Sequence, residues 1–341
     1  MKIRLYKYLV YKFCNSPWTT VTIEGNGDVS LCLCSVWHNK GVIGNLNETS
    51  LRELFSSAWI TDFRETIFDQ SFKYCRRDTC GKIWNLDQVE NFDHVAQYPN
   101  LPTTIYLQSL DNNCNLTCAS CRNVNIYSKE VKPQAEKILN QLIEEYQGFS
   151  EPVMVCGDGS GDVFASTTYL NFLNNPNLPE CFKFAFNTNG NLLTKNLDML
   201  ERLKNQFSAI CVSFDASRPE TYKRIRGGNF DIVKKGVEEL VKLGIPVTTQ
   251  FIVQQGNYRE VLEYFHMAQD LGVTFIGLQT LRRWKHMTKD WWEINTIENN
   301  PDVDYAFLIP ALEEFKLASN TGMDGGLESL IAQYRSTKQI Y

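Results

Sequence analysis

Three cysteines lie close together in the stretch NNCNLTCASCRN, namely Cys114, Cys118 and Cys121. Three and then two residues separate them, a spacing that can bring three thiolates to one metal centre. A closed zinc site normally takes four protein ligands, and iron-sulfur clusters are usually held by four thiolates. Three ligands therefore leave one metal position open to a group that is not protein. A structural zinc loop is the alternative interpretation of this triplet.

A second set of cysteines lies before residue 100, at Cys14, Cys32, Cys75 and Cys80, with Cys34 nearby. Residues 18–34 alternate apolar and polar around the turn EGNGD, which predicts a β-hairpin. Residues 50–68 predict one helix that begins at Ser50, with Glu53 placed for a capping box. The first hundred residues are therefore predicted to form a small N-terminal α+β domain.

Six short apolar segments after residue 100 alternate with amphipathic stretches, and they predict strands at 104–109, 153–156, 182–187, 209–214, 247–253 and 274–279. Two of the helices between them end on Gly244 and Gly272, which suit helix C-caps. Alternating strands and helices indicate a parallel sheet with right-handed crossovers. Six units are fewer than the eight of a TIM barrel, so the prediction is an α/β fold, a partial (β/α)6 TIM-like barrel over 101–298. Its ligands should bind at the carboxyl ends of the strands, and the triplet follows the first strand.

Composition excludes some function classes. The net charge of −5 provides no basic excess for nucleic acid or for an anionic membrane. No signal peptide and no long apolar segment is found, which predicts a cytoplasmic protein. Thiols stay reduced in that compartment, so the eleven cysteines indicate metal ligation or catalysis rather than disulfides. Residues 299–341 predict helices without assignable chemistry.

The motif CNLTCASC resembles the signature of the radical S-adenosylmethionine (SAM) superfamily, with Ser120 in place of the usual aromatic residue. The resemblance implies that Cys114, Cys118 and Cys121 bind a 4Fe-4S cluster whose fourth iron is chelated by SAM. Reductive cleavage of SAM would yield a 5'-deoxyadenosyl radical that abstracts hydrogen from a substrate. It also implies an external electron donor of flavodoxin or ferredoxin type.

Further landmarks of that family follow the second, third and fourth predicted strands, and the resemblance assigns SAM contacts to Asp162, Asn187, Asn189, Ser213, Asp215, Arg224 and Arg226. Asp162, in CGDGSGD, replaces the usual glutamate of a Gly-Gly-Glu motif that binds the methionine amine. Ser213 and Asp215 would meet the ribose, and Arg224 or Arg226 would pair with the methionine carboxylate. A structural aspartate on a glycine-rich turn and a surface arginine remain alternative interpretations.

The N-terminal cysteines resemble the opening of SPASM and twitch auxiliary-cluster domains, because Cys14, Gly27 and Cys32 fit their spacing. The resemblance implies that Cys14, Cys32, Cys75 and Cys80 hold an auxiliary iron-sulfur cluster, of 4Fe-4S type. The domain precedes the core here, and its final pair is spaced C-x4-C. Cys34 could replace Cys32, and a zinc ribbon is the alternative.

Resemblance to SPASM and twitch proteins favours modification of a ribosomally synthesised precursor peptide by cross-linking, epimerisation or backbone excision. No peptide-recognition domain is recognisable in the N-terminal region, which either weakens the peptide interpretation or calls for a separate peptide-recognition protein. Oxidation or epimerisation of a sugar or other small molecule is the alternative, and a zinc-stabilised binding module is the non-enzyme alternative. Cys156, near the end of the second strand, is a candidate hydrogen donor to a substrate radical.

Overall fold

A computed structural model describes residues 10–32, 38–122, 124, 126–157 and 160–338. The described residues form two compact units: the first contains those of Met1–Asp111, Val131–Asp158 and Asn171–Lys183, and the second those of Asn112–Glu130, Gly159–Leu170 and Phe184–Tyr341. The assignment of domains to 1–100, 101–298 and 299–341 stays a prediction. No helix in the described ranges combines the length and apolar character needed to cross a membrane.

The strands, in chain order, are β1 (Tyr11–Phe13), β2 (Thr20–Glu24), β3 (Asp28–Leu31), β4 (Gly44–Asn45), β5 (Asp87–Val89), β6 (Thr104–Gln108), β7 (Val153–Gly157), β8 (Phe182–Thr188), β9 (Phe207–Ser213), β10 (Val247–Val253), β11 (Phe275–Thr280) and β12 (Thr321–Met323). The α-helices are α1 (Ser16–Thr19), α2 (Leu51–Phe55), α3 (Ala58–Phe68), α4 (Pro133–Glu145), α5 (Thr167–Leu173), α6 (Leu197–Leu203), α7 (Pro219–Arg226), α8 (Phe230–Lys242), α9 (Val261–Asp270), α10 (Lys289–Asn295), α11 (Tyr305–Lys316) and α12 (Gly325–Lys338). Short 3-10 helices occur at Gly81–Trp84, Asp93–Gln97, Val163–Ala165, Leu193–Lys195, Lys204–Gln206 and Tyr258–Glu260.

In the first unit, β4, β3, β2, β6 and β7 are neighbours in that order. The predicted hairpin is confirmed as β2 and β3, which pair antiparallel. Strand β2 also pairs in parallel with β6, with Thr20 opposite Thr104. A small antiparallel sheet of β1 and β5 completes the strands of this unit. The fully buried side chains of Val21, Ile23 and Ile105 supply the apolar face of the larger sheet.

The single helix predicted for residues 50–68 is divided into α2 and α3. The predicted capping box at the start of α2 is confirmed, because Ser50 and Glu53 satisfy each other's backbone N–H groups. The division falls at Ser56 and Ser57, where the Ser57 hydroxyl accepts from the Ile60 N–H and starts a second helix. Local serine chemistry thus interrupts an apolar pattern that continues across the break.

In the second unit, β8 to β12 lie in sequence order, and each strand pairs in parallel with the next. All six predicted strands are present, as β6 to β11, and helices follow them along the chain. The α/β fold class is therefore confirmed. The predicted C-caps Gly244 and Gly272 have positive φ values of 76° and 75°, which glycine adopts without a steric penalty.

Buried and half-buried residues alternate along β8, β9 and β10, so the sheet of the second unit has two different faces. Phe184, Phe186 and Phe251 are buried on the face that packs against helices. Asn187 and Gln250 occupy the alternate, half-buried positions, so polar groups mark the opposite face. This is the pattern expected where one face of a parallel sheet serves a ligand rather than the core.

Candidate functional site

The cysteine triplet lies on a loop of the second unit. Cys114 and Cys118 are buried and pack with Leu116, whereas Cys121 is exposed. A turn joins the last two, because the Cys121 N–H donates to the Cys118 carbonyl at 2.9 Å. Burial raises the pKa of the Cys118 thiol, and the neighbouring thiols of Cys121 and Cys114 raise it further. The Cys118 sulfur is therefore within electrostatic range of the other two.

The triplet lines a cavity of about 120 Å3 in the second unit. Leu116 and Arg122 of the same loop also line it, and four other segments contribute Gly161, Asp162, Asn187, Thr188, Asn189, Ser213 and Arg226. Five of the seven residues predicted to contact SAM are in this set. Within the described residues, the lining does not include Asp215 or Arg224. Two residues of the landmark CGDGSGD, Asp158 and Gly159, lie outside the described residues.

Asp162 is almost fully buried and organises the loops around the cavity. One oxygen, Oδ2, accepts from Thr188 Oγ1 at 2.9 Å and from the Asn189 N–H at 2.6 Å. The other oxygen, Oδ1, accepts from the Phe164 N–H at 3.1 Å and caps a 3-10 helix. Burial raises the pKa of Asp162, and these three hydrogen bonds oppose that rise. Its observed contacts match the structural interpretation, and its role toward SAM stays a prediction.

Asn189 connects the end of β8 to the first cysteine of the triplet. Its Nδ2 donates to Cys114 Sγ at 3.7 Å and to Asn115 Oδ1 at 2.8 Å. Burial raises the pKa of the Cys114 thiol, while Arg122 and the hydrogen bond from Asn189 lower it. Asn189 is thus a donor to a sulfur that is a predicted iron ligand, a position that tunes metal sites in general.

Arg226 is held by Asp215 at the edge of the cavity. Its Nη1 donates to Asp215 Oδ2 at 2.9 Å, and Asp215 Oδ1 accepts from the Ile252 N–H at 2.7 Å. Burial alone would lower the pKa of Arg226, but the charges of Cys118 and Asp215 raise it above its usual value. Arg226 Nε is buried without a hydrogen-bond partner. A guanidinium with an unused donor that lines a cavity suits an anionic ligand.

Arg224 is placed differently from Arg226. Its side chain is exposed, and its Nη2 donates to the Gly256 carbonyl at 2.6 Å. Of the two arginines that the sequence left as alternatives, only Arg226 lines the cavity. Asp215 is 1% exposed and directed at Arg226, so the structure places it as a partner of the arginine.

The second cysteine set comes together in the first unit. Burial raises the pKa of Cys32 well above its usual value, and the charges of Cys14, Cys75 and Cys80 add to the rise. Burial likewise raises the pKa of Cys75 to about 12, with contributions from Cys14 and Cys80. The four predicted auxiliary ligands therefore lie near one another. Cys34 lies outside the described residues.

The residues present suit iron-sulfur clusters, because thiolates are the usual protein ligands of such clusters. Cys118 lies within electrostatic range of Cys114 and Cys121. Asn189 donates to Cys114 Sγ, and hydrogen bonds to the sulfurs are among the features that tune a cluster.

Cys156 belongs to the first unit, near the end of β7. It lies opposite Tyr106 on β6 and is half-buried. Burial raises the pKa of its thiol to about 11, so the group is protonated near neutral pH. A protonated thiol retains its S–H bond, and its role as hydrogen donor stays a prediction.

Two residues that the sequence analysis did not single out, Arg122 and Tyr222, hold the loops of the site together. Arg122 joins two cavity loops, because its Nη2 donates to the Ser160 carbonyl at 2.7 Å and its Nη1 to the Asn112 carbonyl at 3.1 Å. Tyr222 donates from its hydroxyl to the Asn189 carbonyl at 3.2 Å. The position of Arg122 directly after the third cysteine could have indicated that it belongs to the site. No feature of the sequence indicated this for Tyr222.

Comparisons with known proteins agree with this arrangement. Residues 109–268 match the model of the radical SAM superfamily, and residues 14–81 match that of the SPASM iron-sulfur cluster-binding domain. A probable GTP 3',8-cyclase of Methanococcus aeolicus is 31% identical over 119 residues, which cover 33% of this chain and 38% of that protein. An Fe-coproporphyrin III synthase of Methanosarcina barkeri is 24% identical over 191 residues, which cover 52% of this chain and 44% of that protein.

The chain thus spans about two fifths of the length of these curated relatives. Among solved structures, SuiB of Streptococcus suis bound to the precursor peptide SuiA is 14% identical, with a TM-score of 0.49 over 93% of this chain and 73% of that one. Residues 109–268 thus form a radical SAM domain, preceded by a SPASM-type domain at residues 14–81, and these domains imply a 4Fe-4S cluster, SAM and an auxiliary iron-sulfur cluster.

Proposed function

We propose that this enzyme cleaves SAM at the cavity of the second unit and uses the resulting radical to modify a ribosomally synthesised precursor peptide. The observation that carries the first step is the shared cavity. It brings the three thiols of Cys114, Cys118 and Cys121 together with Arg226. Thiolates for iron and a guanidinium for a carboxylate are the two kinds of group that SAM chelation at a cluster requires.

Each residue of the cavity has a distinct task in this proposal. Cys114, Cys118 and Cys121 hold the 4Fe-4S cluster, which when bound supplies the electron for cleaving SAM. Arg226 binds the methionine carboxylate, and Asp215 keeps the guanidinium oriented through its 2.9 Å contact. Asn189 donates to Cys114 Sγ and so stabilises negative charge on that sulfur.

The rest of the cavity orients SAM and limits access of water. Asp162 fixes the loop after β8 by its hydrogen bonds to Thr188 and Asn189. Each carboxylate oxygen can accept two hydrogen bonds, so Oδ1 has capacity left for the methionine amine. Asn187 and Ser213, at the carboxyl ends of β8 and β9, complete the contacts to SAM.

The auxiliary site and the peptide form the second part of the proposal. Cys14, Cys32, Cys75 and Cys80 hold the auxiliary cluster that the SPASM match implies. Support for a peptide comes from the resemblance to SPASM and twitch proteins. A flavodoxin or ferredoxin type protein would supply electrons, and a separate protein would present the peptide.

A small-molecule substrate is the second candidate. The names of the curated relatives refer to a guanosine nucleotide and to an iron coproporphyrin, neither of which is a peptide. Both relatives are matched over only part of their own length, 38% and 44%.

Anaerobic reconstitution with iron and sulfide tests the proposed function. The expected result is about eight irons per chain, for two 4Fe-4S clusters, with release of 5'-deoxyadenosine from SAM under reduction. Cys118→Ser should abolish that release. Cys181→Ser is the matched control, because its half-buried thiol has no predicted ligand role. Bound zinc without SAM cleavage would overturn the proposal, and nucleotide turnover without peptide turnover would select the second candidate.

A further inference from the structure

A polar cavity of about 300 Å3 lies in the first unit, at the amino ends of β2 and β6. Thr20 and Thr104 are the first residues of these two strands and are paired across them. Parallel α/β sheets generally bind ligands at the carboxyl ends of their strands. This cavity is therefore not the usual strand-end site, and it needs its own explanation.

The lining of this cavity is rich in hydrogen-bond donors and contains one cation; it consists of Asn15, Ser16, Thr19, Thr20, Lys82, Thr103, Thr104 and Tyr106. Six of these residues carry a hydroxyl group. None of the described lining residues carries a carboxylate. Hydroxyl donors around one ammonium group complement an anion with several oxygen atoms.

Lys82 is held in position within this lining. Its Nζ donates to Ser16 Oγ at 3.0 Å. Ser16 is 3% exposed, so the acceptor belongs to the packed part of the unit. A lysine ammonium has three N–H donors, and this contact uses one of them. Lys82 is itself exposed, so its remaining donors are accessible to a ligand.

The cavity also adjoins the predicted auxiliary ligands. Asn15 directly follows Cys14 in the sequence, and the Cys32 N–H donates to the Thr20 carbonyl at 3.1 Å. The charge of Lys82 acts on the Cys32 thiol. The lining residue Thr20 is thus hydrogen-bonded to the predicted ligand Cys32, and the lining residue Asn15 is the chain neighbour of the predicted ligand Cys14.

We propose that this cavity binds an anionic oxygen group of the substrate beside the auxiliary cluster, with Lys82 as its counter-charge. This inference rests on the proposed function in one respect, because the proposed peptide substrate would supply a carboxylate as the anionic group. If the substrate is instead a nucleotide, a phosphate would bind to the same donors. The site assigns Lys82 and Ser16 to substrate binding, outside the radical SAM motifs.

Calorimetric titration of the reconstituted full chain with three probes tests this site. N-acetylglycine carries a carboxylate, N-acetylglycinamide is its neutral match, and inorganic phosphate represents the other anion. We expect N-acetylglycine or phosphate to bind at least about tenfold more tightly than N-acetylglycinamide, because a hydrogen bond to a charged group contributes an affinity difference of about that size. A preference for phosphate assigns the site to phosphorylated small molecules, and a preference for the carboxylate assigns it to peptides.

Variants locate the binding at this cavity. Lys82→Met should weaken anion binding about tenfold, Ser16→Ala should weaken it less, and Lys82→Arg should retain it. Lys12→Met is the matched control, because Lys12 is exposed like Lys82 but lies outside the lining. Equal affinity for the acid and the amide, or unchanged binding by Lys82→Met, would overturn the inference. The probes need neither SAM nor peptide, so a failure of anion binding would leave the proposed function standing. A failure of SAM cleavage with intact anion binding would overturn the proposed function and leave this inference standing.

Discussion

Replacing Asp215 by asparagine removes the charge that faces Arg226 while it keeps the size of the side chain. The asparagine Oδ1 can still accept from the Ile252 N–H, as the aspartate does at 2.7 Å. Its Nδ2 would instead face Arg226 Nη1, so two donors would meet where a 2.9 Å hydrogen bond now exists. The perturbation is therefore confined to the ion pair.

The size of the effect follows from burial. The side chains of Arg226 and Asp215 are 14% and 2% exposed, so little water can replace the lost partner. Removing one member of a buried pair costs about 3–5 kcal/mol. Because Arg226 keeps some exposure, we expect the lower value, about 3 kcal/mol in the free energy of unfolding. A misdirected arginine should also weaken SAM binding by about tenfold to a hundredfold, the range typical of supporting residues.

Anaerobic urea unfolding and SAM titration of the reconstituted protein measure the two effects. Glu263→Gln is the matched control, because it removes the charge of an ion pair with Arg218 at the surface. The side chains of Arg218 and Glu263 are 59% and 48% exposed. Such surface pairs contribute about 0–1 kcal/mol. If Asp215→Asn unfolds and binds SAM like the control variant, Asp215 does not support Arg226 and the assigned roles are wrong.

Three further outcomes follow from the structure. Asn189→Ala removes the donor to Cys114 Sγ and should lower the reduction potential of the SAM cluster; an unchanged midpoint in a redox titration followed by electron paramagnetic resonance would contradict this. Alkylation of Cys156 should still rise about tenfold between pH 9 and pH 10, because burial raises the pKa of its thiol to about 11, whereas a free cysteine with a pKa of about 8.5 has levelled off; mass spectrometry of the modified peptide distinguishes the two profiles. Ser50→Ala should lower the free energy of unfolding by about 1 kcal/mol, since it removes the N-cap of α2; no shift in the urea midpoint would refute that contribution.

The sequence predicted the strands because their pattern is local. In β8, Phe182, Phe184 and Phe186 alternate with less buried residues, which is the period of a half-covered strand. Strand β12 was missed because Thr321–Met323 is short and contains a glycine. It is a strand only because Ile276 and its neighbours on β11 pair with it, and such pairing is a tertiary interaction.

The sequence could name the candidate residues of the site but not their mutual contacts. Arg224 and Arg226 are two positions apart on α7, so they point in roughly opposite directions around a helix of about 3.6 residues per turn. Only the packing of that helix decides which one lines the cavity. The pairing of Arg226 with Asp215, and the contact of Asn189 with Cys114, likewise depend on loops brought together by the sheet.

The two cysteine sets differ in the charge that surrounds them, and this difference bears on folding. The triplet has Arg226 near Cys118 and Arg122 near Cys114, so thiolate charge there is partly compensated by the protein. At the auxiliary site, burial and three neighbouring thiols all raise the pKa of Cys32, and Lys82 is the cation that opposes them. Ionising Cys32 and Cys75 together without iron would place negative charge in a buried region that Lys82 and Arg77 only partly offset. Binding of the auxiliary cluster should therefore be coupled to folding, because the metal supplies the remaining positive charge.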